Sequence, residues 1–406
     1  MILSIMSILS KMRFPLMHDR NIRLYYLYTS IFSTWPIQAV LALFMLSKGF
    51  NFVDIGWIVF VFNISSILFE VPTGFFADKF GRRNSIIAGL MIFTIFSPLW
   101  TVGYELFHFL IIAVFWSAAF AFISGSFEAY LYDYLQEKKW TEHYDAVRST
   151  GTMLVYIATA VGILVGVPAF MLNPNLPYYL VTLTNFAGLI IVLFMQHDTP
   201  PAKKANLESE VKVFSGISLI LKSPVLLWIS AFSIAYFSYY HFFIQGTNIP
   251  YLVELDLLPL SGIGVFLAGM SLFQAAIASR FNYFRRRLSV NQLIFALMVL
   301  QVGSLFILSA VFGVLGFVFF GIFCIIEPLE QLIVNSLSQK HIKSEIRATT
   351  LSSIYLVTSI SSALVAIVAG SLTDQVGIRS SFVVVGAVLT VVFAALFAVK
   401  LIKKID

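Results

Sequence analysis

The chain has 406 residues, of which 59% are hydrophobic and 11% charged. An average soluble domain carries about a quarter charged residues, so this composition excludes an ordinary soluble protein and describes a polytopic membrane protein. The formal net charge of +6 would suggest a nucleic-acid partner in a soluble chain. Here the basic residues lie in short loops between apolar runs, which points to membrane orientation and no nucleic acid.

The first residues are apolar from Met1 to Ser10 and only then reach Lys11, Arg13 and Arg20. A signal peptide carries its positive region first. Residues 1–21 therefore read as a cytosolic interfacial segment, or as an extension ahead of a start at Met12 or Met17. A spanning helix needs about twenty mostly apolar residues, and the chain from residue 22 divides into twelve such runs. They are 22–46, 53–77, 84–104, 106–133, 146–170 and 176–196 in a first half, then 224–247, 258–279, 290–310, 312–337, 346–371 and 379–401 in a second. A polar connection, 198–223, contains Pro200-Pro201 and a Lys/Glu cluster. The expected organisation is two six-helix bundles, 22–197 and 224–402, joined by this cytosolic linker and followed by a tail, 403–406. All 26 lysines and arginines then fall on the side of the termini except Lys48 and Arg379, which predicts that both termini are cytosolic.

Between the second and third runs, after Glu70-Val71-Pro72-Thr73, stands Gly74-Phe75-Phe76-Ala77-Asp78-Lys79-Phe80-Gly81-Arg82-Arg83. Its two glycines allow a tight bend, an aspartate ends one helix, and basic residues open the next, which fixes the turn at an aqueous surface. At these residues the chain resembles the major facilitator superfamily of secondary transporters, whose signature decapeptide occupies this loop. Gly74, Ala77, Asp78, Lys79, Gly81, Arg82 and Arg83 match it. The resemblance implies an all-α polytopic protein with twelve transmembrane helices in two pseudo-symmetric bundles, acting as a monomer in a bacterial inner membrane. It also implies that Asp78 caps the helix beginning near Arg347, and that Arg82 or Arg83 pairs with Asp133 or Glu137. Gly74, Asp78, Gly81, Arg82, Arg83, Asp133, Arg148 and Arg347 would then form a conformational gate that latches the outward-facing state.

The halves echo one another at an offset near two hundred residues, which sets Glu128 opposite Glu330. Repeated halves around a cavity are how alternating-access transporters are built. A fainter copy of the decapeptide, Gly370-Ser371-Leu372-Thr373-Asp374-Gln375-Val376-Gly377, falls on the predicted outer side.

An ionisable side chain within a span costs about 2.5 to 3.5 kcal/mol on insertion scales. Glu70, Glu128, Glu327 and Glu330 are therefore proton-coupling candidates, with structural hydrogen bonding to neighbouring helices as the other reading. Glu128 lies ten residues before Lys138, a depth of about 15 Å at 1.5 Å per residue. Asp133, Asp145 and Arg148, near the inner helix ends, read first as a salt-bridge network. No lysine or arginine lies deep in a span, so the cavity should prefer neutral, cationic or amphipathic molecules. Its lining is expected from Tyr28, Trp35 and Gln38 on the first helix and Tyr236, Tyr240, His241 and Gln245 on the seventh. Lipid-facing packing is the alternative for each ring.

Gly162 and Gly166 on the fifth helix only partly resemble the glycine-rich motif of drug/proton exchangers. The single cysteine, Cys324, excludes an internal disulfide and a cysteine-based metal site. Neither a P-loop, a metal-ligand cluster nor a Ser/His/Asp arrangement is visible, so no cofactor, metal or enzymatic activity is expected. The expected function is export of a small organic compound in exchange for protons. Uptake, facilitated diffusion, lipid flipping and a non-transporting receptor are the alternatives.

Overall fold

The computed structural model describes residues 15–196, 218–279, 290–324 and 344–403, and every regular element among them is helical. The reason is the solvent: hydrocarbon offers no partner to backbone N–H and C=O groups, and a helix satisfies them within one segment. In chain order the first half holds α1a (Arg20–Phe32) and α1b (Leu41–Ser47), α2 (Phe52–Phe80) and α3 (Arg82–Phe96), with a last turn at Leu99–Val102. It continues with α4 (Leu106–Glu137), α5 (Tyr144–Leu172) and α6 (Leu176–Phe194). The second half holds α7a (Pro224–Phe242), a π turn (Phe243–Thr247), α7b (Asn248–Glu254), α8 (Leu260–Ser279) and α9 (Val290–Ala310). It closes with α10 (Gly313–Cys324), α11 (Ser344–Val376) and α12 (Ile378–Lys403). Among the described residues eight helices are long and apolar enough to cross a bilayer; α7a, α8 and α10 add shorter apolar stretches, and α1 is divided.

The first span departs from the single run 22–46. Its helix stops at Phe32, residues 33–40 form turns, and helix resumes at Leu41. Pro36 explains the stop, since proline has no N–H to donate and its ring blocks the preceding turn. What receives the broken stretch is α5. A Cβ built on Gly162 would lie 2.8 Å from the Trp35 nitrogen, and one on Gly166 would overlap the Pro36 carbonyl oxygen. The two glycines thus have a packing role, letting one backbone lie against another where helix association rests on close van der Waals contact. The seventh span is interrupted as well, by the π turn, and it reaches Glu254 rather than stopping at 247. α1b touches both the π turn and α7b.

Several helices overshoot the bilayer. α4 has 32 residues, about 48 Å of helix against a hydrocarbon core of about 30 Å. Depth counted from its last residue is therefore not depth in the membrane. Glu128, 22 residues beyond Leu106 and so about 33 Å along the axis, belongs near the hydrocarbon boundary at the far end.

Two apolar cores result. One lies wholly within residues 22–195, while the other gathers residues 220–393 and takes in Ala39, Val40, Val59, Ala160, Ile163 and Val167 from the first half. Those six residues sit toward the end where α2 begins and α5 finishes, so the halves share an apolar junction there. At the opposite end the first half is tied within itself. Asn21 donates to the Tyr130 hydroxyl at 2.7 Å, Tyr130 donates to the Gln196 carbonyl, and Tyr134 donates to Asp19.

Lys48 and Arg379, the two exceptions to the charge sorting, both have local partners. The Lys48 ammonium donates to the carbonyls of Thr101 and Gly103 at the end of the third span, 3.1 and 2.9 Å away. Arg379 donates to Glu254 at 2.8 Å and to the Val311 carbonyl at 2.7 Å, with its guanidinium 3.8 Å from the Phe312 ring centre.

A pair of glycine substitutions tests the packing of the broken first span. Gly166→Ala should lower the melting temperature of the purified protein, because overpacking a tight contact costs about 1–3 kcal/mol. Gly303→Ala on α9, where an added Cβ meets no described atom within 4 Å, should hold or raise it, since alanine is about 1 kcal/mol better than glycine in a helix. Equal effects at the two positions would contradict this account.

Candidate functional site

The functional geometry is laid out at the two ends of α2, where it meets the rest of the bundle. One end bears Asp78 and the other faces Asp374, and the two are named here the Asp78 face and the Asp374 face.

At the Asp78 face α2 ends on Gly81, whose φ of +96° lies in the left-handed region that glycine enters without strain. Asp78 accepts from Arg82 at 2.7 Å across the turn. Arg83 reaches over to α6, where its Nε donates to the Val192 carbonyl at 3.0 Å and an Nη to the Leu193 carbonyl at 2.6 Å. A cation on the last carbonyls of a helix is favoured by the helix dipole, so Arg83 acts as a C-terminal cap for α6. This differs from the expected pairing of an arginine with Asp133 or Glu137. Asp133 is instead an electrostatic neighbour, close enough to feel both Arg82 and Asp78. The Arg347 side chain, and Glu327 and Glu330 altogether, lie outside the described residues.

On the α4 and α5 surfaces the structure joins two residues that the sequence kept apart. Arg148 donates to Glu128 at 2.8 Å, with the side chains 52% and 59% exposed. Tyr25 stands beside them, stacked on Phe127 at 4.8 Å between ring centres, and Gly151 makes room for its hydroxyl. A guanidinium thus stands at the level of Glu128, near the boundary end of α4 and not deep in the span. Ionised side chains at membrane depth almost always face a bundle interior or water, and this pair is exposed on the surfaces of α4 and α5. Glu70 is exposed on α2, eight residues before Asp78, and no described residue pairs with it.

The Asp374 face is closed. A Cβ on Gly56 of α2 would come within 2.5 Å of the Ala366 carbonyl oxygen of α11, and one on Gly370 would overlap the Phe52 carbonyl oxygen. The Asp374 carboxylate accepts from the Phe52 amide at 2.9 Å and the Val53 amide at 2.8 Å, the first two of α2. Beside this junction, Gly264 of α8 packs on Val167 of α5, 3.0 Å from a built Cβ.

The aromatic candidates separate. Tyr28 is fully buried against Phe32 and Phe127, and Tyr236 is fully buried beside Phe232 in the second core. Both sit in helix packing rather than along an opening. Trp35 packs into a cluster with Phe32, Phe93 and Trp116, while Gln38 is exposed within the α1 break. The side chains of Tyr240, His241 and Gln245 lie outside the described residues. The polar ties at Asn21, Tyr130 and Gln196 were not anticipated; scattered over the chain, they share no local pattern.

The family model described as Major Facilitator Superfamily matches residues 26–364. An uncharacterized MFS-type transporter of Bacillus subtilis (strain 168), YxaM, is 28% identical over 140 residues, 34% of this chain and 34% of that protein. An uncharacterized transporter of Buchnera aphidicola subsp. Schizaphis graminum (strain Sg) is 40% identical over 65 residues, 16% of each chain. These alignments span about a third or less of the relatives' length. Among solved structures, the nucleoside transporter NupG superposes with a TM-score of 0.76 at 14% identity, over 94% of this chain and 99% of its own. A bacterial homolog of the human lysosomal transporter Spinster, inward-facing and unoccupied, gives 0.74 at 13% identity over 93% and 96%. A POT family transporter in complex with 5-aminolevulinic acid gives 0.72 at 16% identity over 93% and 95%. At such identities the superpositions speak to the fold, and the family match over most of the chain decides the rest: this multi-pass membrane protein belongs to the major facilitator superfamily of transporters.

Proposed function

We propose that the protein is a secondary active transporter that moves a small neutral, cationic or amphipathic organic compound by alternating access. In this reading it exports the compound across a bacterial inner membrane in exchange for protons, with the Asp78 face and both termini in the cytosol. The observation that carries the reading is an asymmetry. The halves are joined at the Asp374 face, while the Glu128–Arg148 pair near the other face is more than half exposed.

The chemistry of that pair suits exchange. As an ion pair it has no net charge, which is compatible with a neutral or amphipathic cargo despite the guanidinium. Protonating Glu128 removes the partner of Arg148 and leaves one positive charge. A cationic compound and a proton then compete for a single carboxylate, and mutual exclusion of that kind is what an exchanger requires. Glu70, Glu327 and Glu330 are the other acids to which the proton role could fall. The nucleoside and the 5-aminolevulinic acid named for two structural neighbours are small organic molecules, in keeping with this substrate class.

Flux into proteoliposomes under an imposed pH gradient, with a panel of candidate compounds, tests the reading. Glu128→Gln should reduce proton-driven accumulation at least tenfold while gradient-independent exchange persists. If Glu70→Gln, Glu128→Gln, Glu327→Gln and Glu330→Gln all leave the proton dependence intact, the coupling mechanism proposed here is wrong. Specific binding without flux for the whole panel would favour the non-transporting receptor.

The pairing itself makes a second prediction. Arg148→Gln should cut proton-driven accumulation about as severely as Glu128→Gln, and the exchange of Glu128→Arg with Arg148→Glu should restore a measurable part of it. Full activity of Arg148→Gln would show that the guanidinium has no part in the cycle.

A further inference from the structure

We propose that Asp374 is a conformational latch, and that Gly370-x-x-x-Asp374-x-x-Gly377 is a working counterpart of Gly74-x-x-x-Asp78-x-x-Gly81 at the opposite end of the bundle. The two stretches share more than their spacing. Each ends a long helix on a glycine with positive φ, +96° at Gly81 and +80° at Gly377. In each the glycine amide donates back one turn, to Ala77 in the first and to Thr373 in the second, both at 2.9 Å. The carboxylate stands three residues before that glycine in both.

What the second copy grips is visible. A helix begins with N–H groups that have no partner within it. At the start of α2, Asn51 takes the Asp54 amide at 2.9 Å, and the Ile55 amide already bonds back to the Asn51 carbonyl. The amides of Phe52 and Val53 remain, and both are taken by Asp374, 322 and 321 residues away in sequence. Each oxygen accepts one bond, and the negative charge sits at the positive end of the helix dipole, where charge-assisted bonds are strong. Gly370, one turn earlier on α11, brings the two backbones close enough for this to happen. At Gly74 no described atom comes within 4 Å of a built Cβ, so the tight approach seen at the second copy has no counterpart there among the described residues.

The arrangement is also releasable. Asp374 is exposed, so when α2 and α11 part, water can take over both the carboxylate and the two amides. A buried bond would have no such replacement and would lock the face permanently. The shared cap therefore biases the protein toward the state in which the Asp374 face is shut without preventing its opening.

The consequence for transport rests on the alternating-access reading, but the latch is tested by accessibility alone. On a background lacking Cys324, Ala369→Cys places a thiol in the closed junction, where Ala369 is 4% exposed, and Thr152→Cys reports the opposite side from an exposed position. Their rates of reaction with a water-soluble maleimide are compared in the full-length protein with and without Asp374→Ala. The expected result is at least a fivefold rise at residue 369 and a fall at residue 152. Asp374→Asn, whose amide oxygen can still accept a bond, should fall between, and it serves as the readout if Asp374→Ala does not fold. Unchanged rates at both positions, or a rise at both that signals general loosening, would overturn the proposal. Absence of flux from the unmutated protein together with the expected labelling pattern would leave the latch standing and count against the transport reading instead.

Discussion

The close approach of α2 and α11 at Gly56 and Gly370 is the constraint from which most of this architecture follows. Two helices from different halves of the chain meet there backbone to backbone, and no side chain larger than hydrogen fits at either glycine. In a bilayer no hydrophobic gain drives helices together, because lipid is as apolar as leucine. Contact of this kind has to come from fit, and fit depends on small residues at the crossing. The six residues of the first half that join the second apolar core, and the carboxylate cap on α2, both cluster around the same junction.

The breaks in α1 and α7 follow a related logic. An unwound backbone at membrane depth is tolerated where protein covers it, and here Gly162 and Gly166 supply the cover for residues 35 and 36. The same break turns α1b toward the π turn and α7b, so the junction between halves is reached by the interrupted spans as well as by α2 and α11. Both sets of contacts belong to the Asp374 face. Near the Asp78 face these ties each run within one half: Arg83 onto α6, Asn21 and the Gln196 carbonyl with Tyr130, Tyr134 onto Asp19, and in the second half Trp228 onto the Leu396 carbonyl.

The helical class, the span count and the family were legible because they rest on local signals: runs of apolar residues, the sorting of lysine and arginine, and ten consecutive residues between two spans. The breaks were less so. Pro36 was in plain view, but a proline in a span can kink as well as stop it, and only the glycines of a distant helix decide which. Helix ends were misjudged where amphipathic turns carry a helix past the membrane, as in α4 from 133 to 137, and this displaced Glu128 toward the boundary. The Glu128–Arg148 pair was hidden for a similar reason: twenty residues and a turn separate its members, and opposite charges near two helix ends do not say which acid meets which base. Tyr28 and Tyr236 carry polar tips on aromatic bodies, a composition shared by cavity walls and cores, and packing alone places them in the cores. Asp374 stood out as part of a faint repeat, but its partners are main-chain amides, which sequence patterns cannot name.

In alternating access as proposed above, the two ends of the α2–α11 pair open in turn. Distances between paired spin labels, one pair at Trp57 and Gln375 and the other at Lys79 and Glu345, measure this directly in the reconstituted protein. On addition of a transported compound the first distance should lengthen in a fraction of molecules while the second shortens in a matching fraction. Distances that stay fixed at both ends, or that lengthen together, would contradict it.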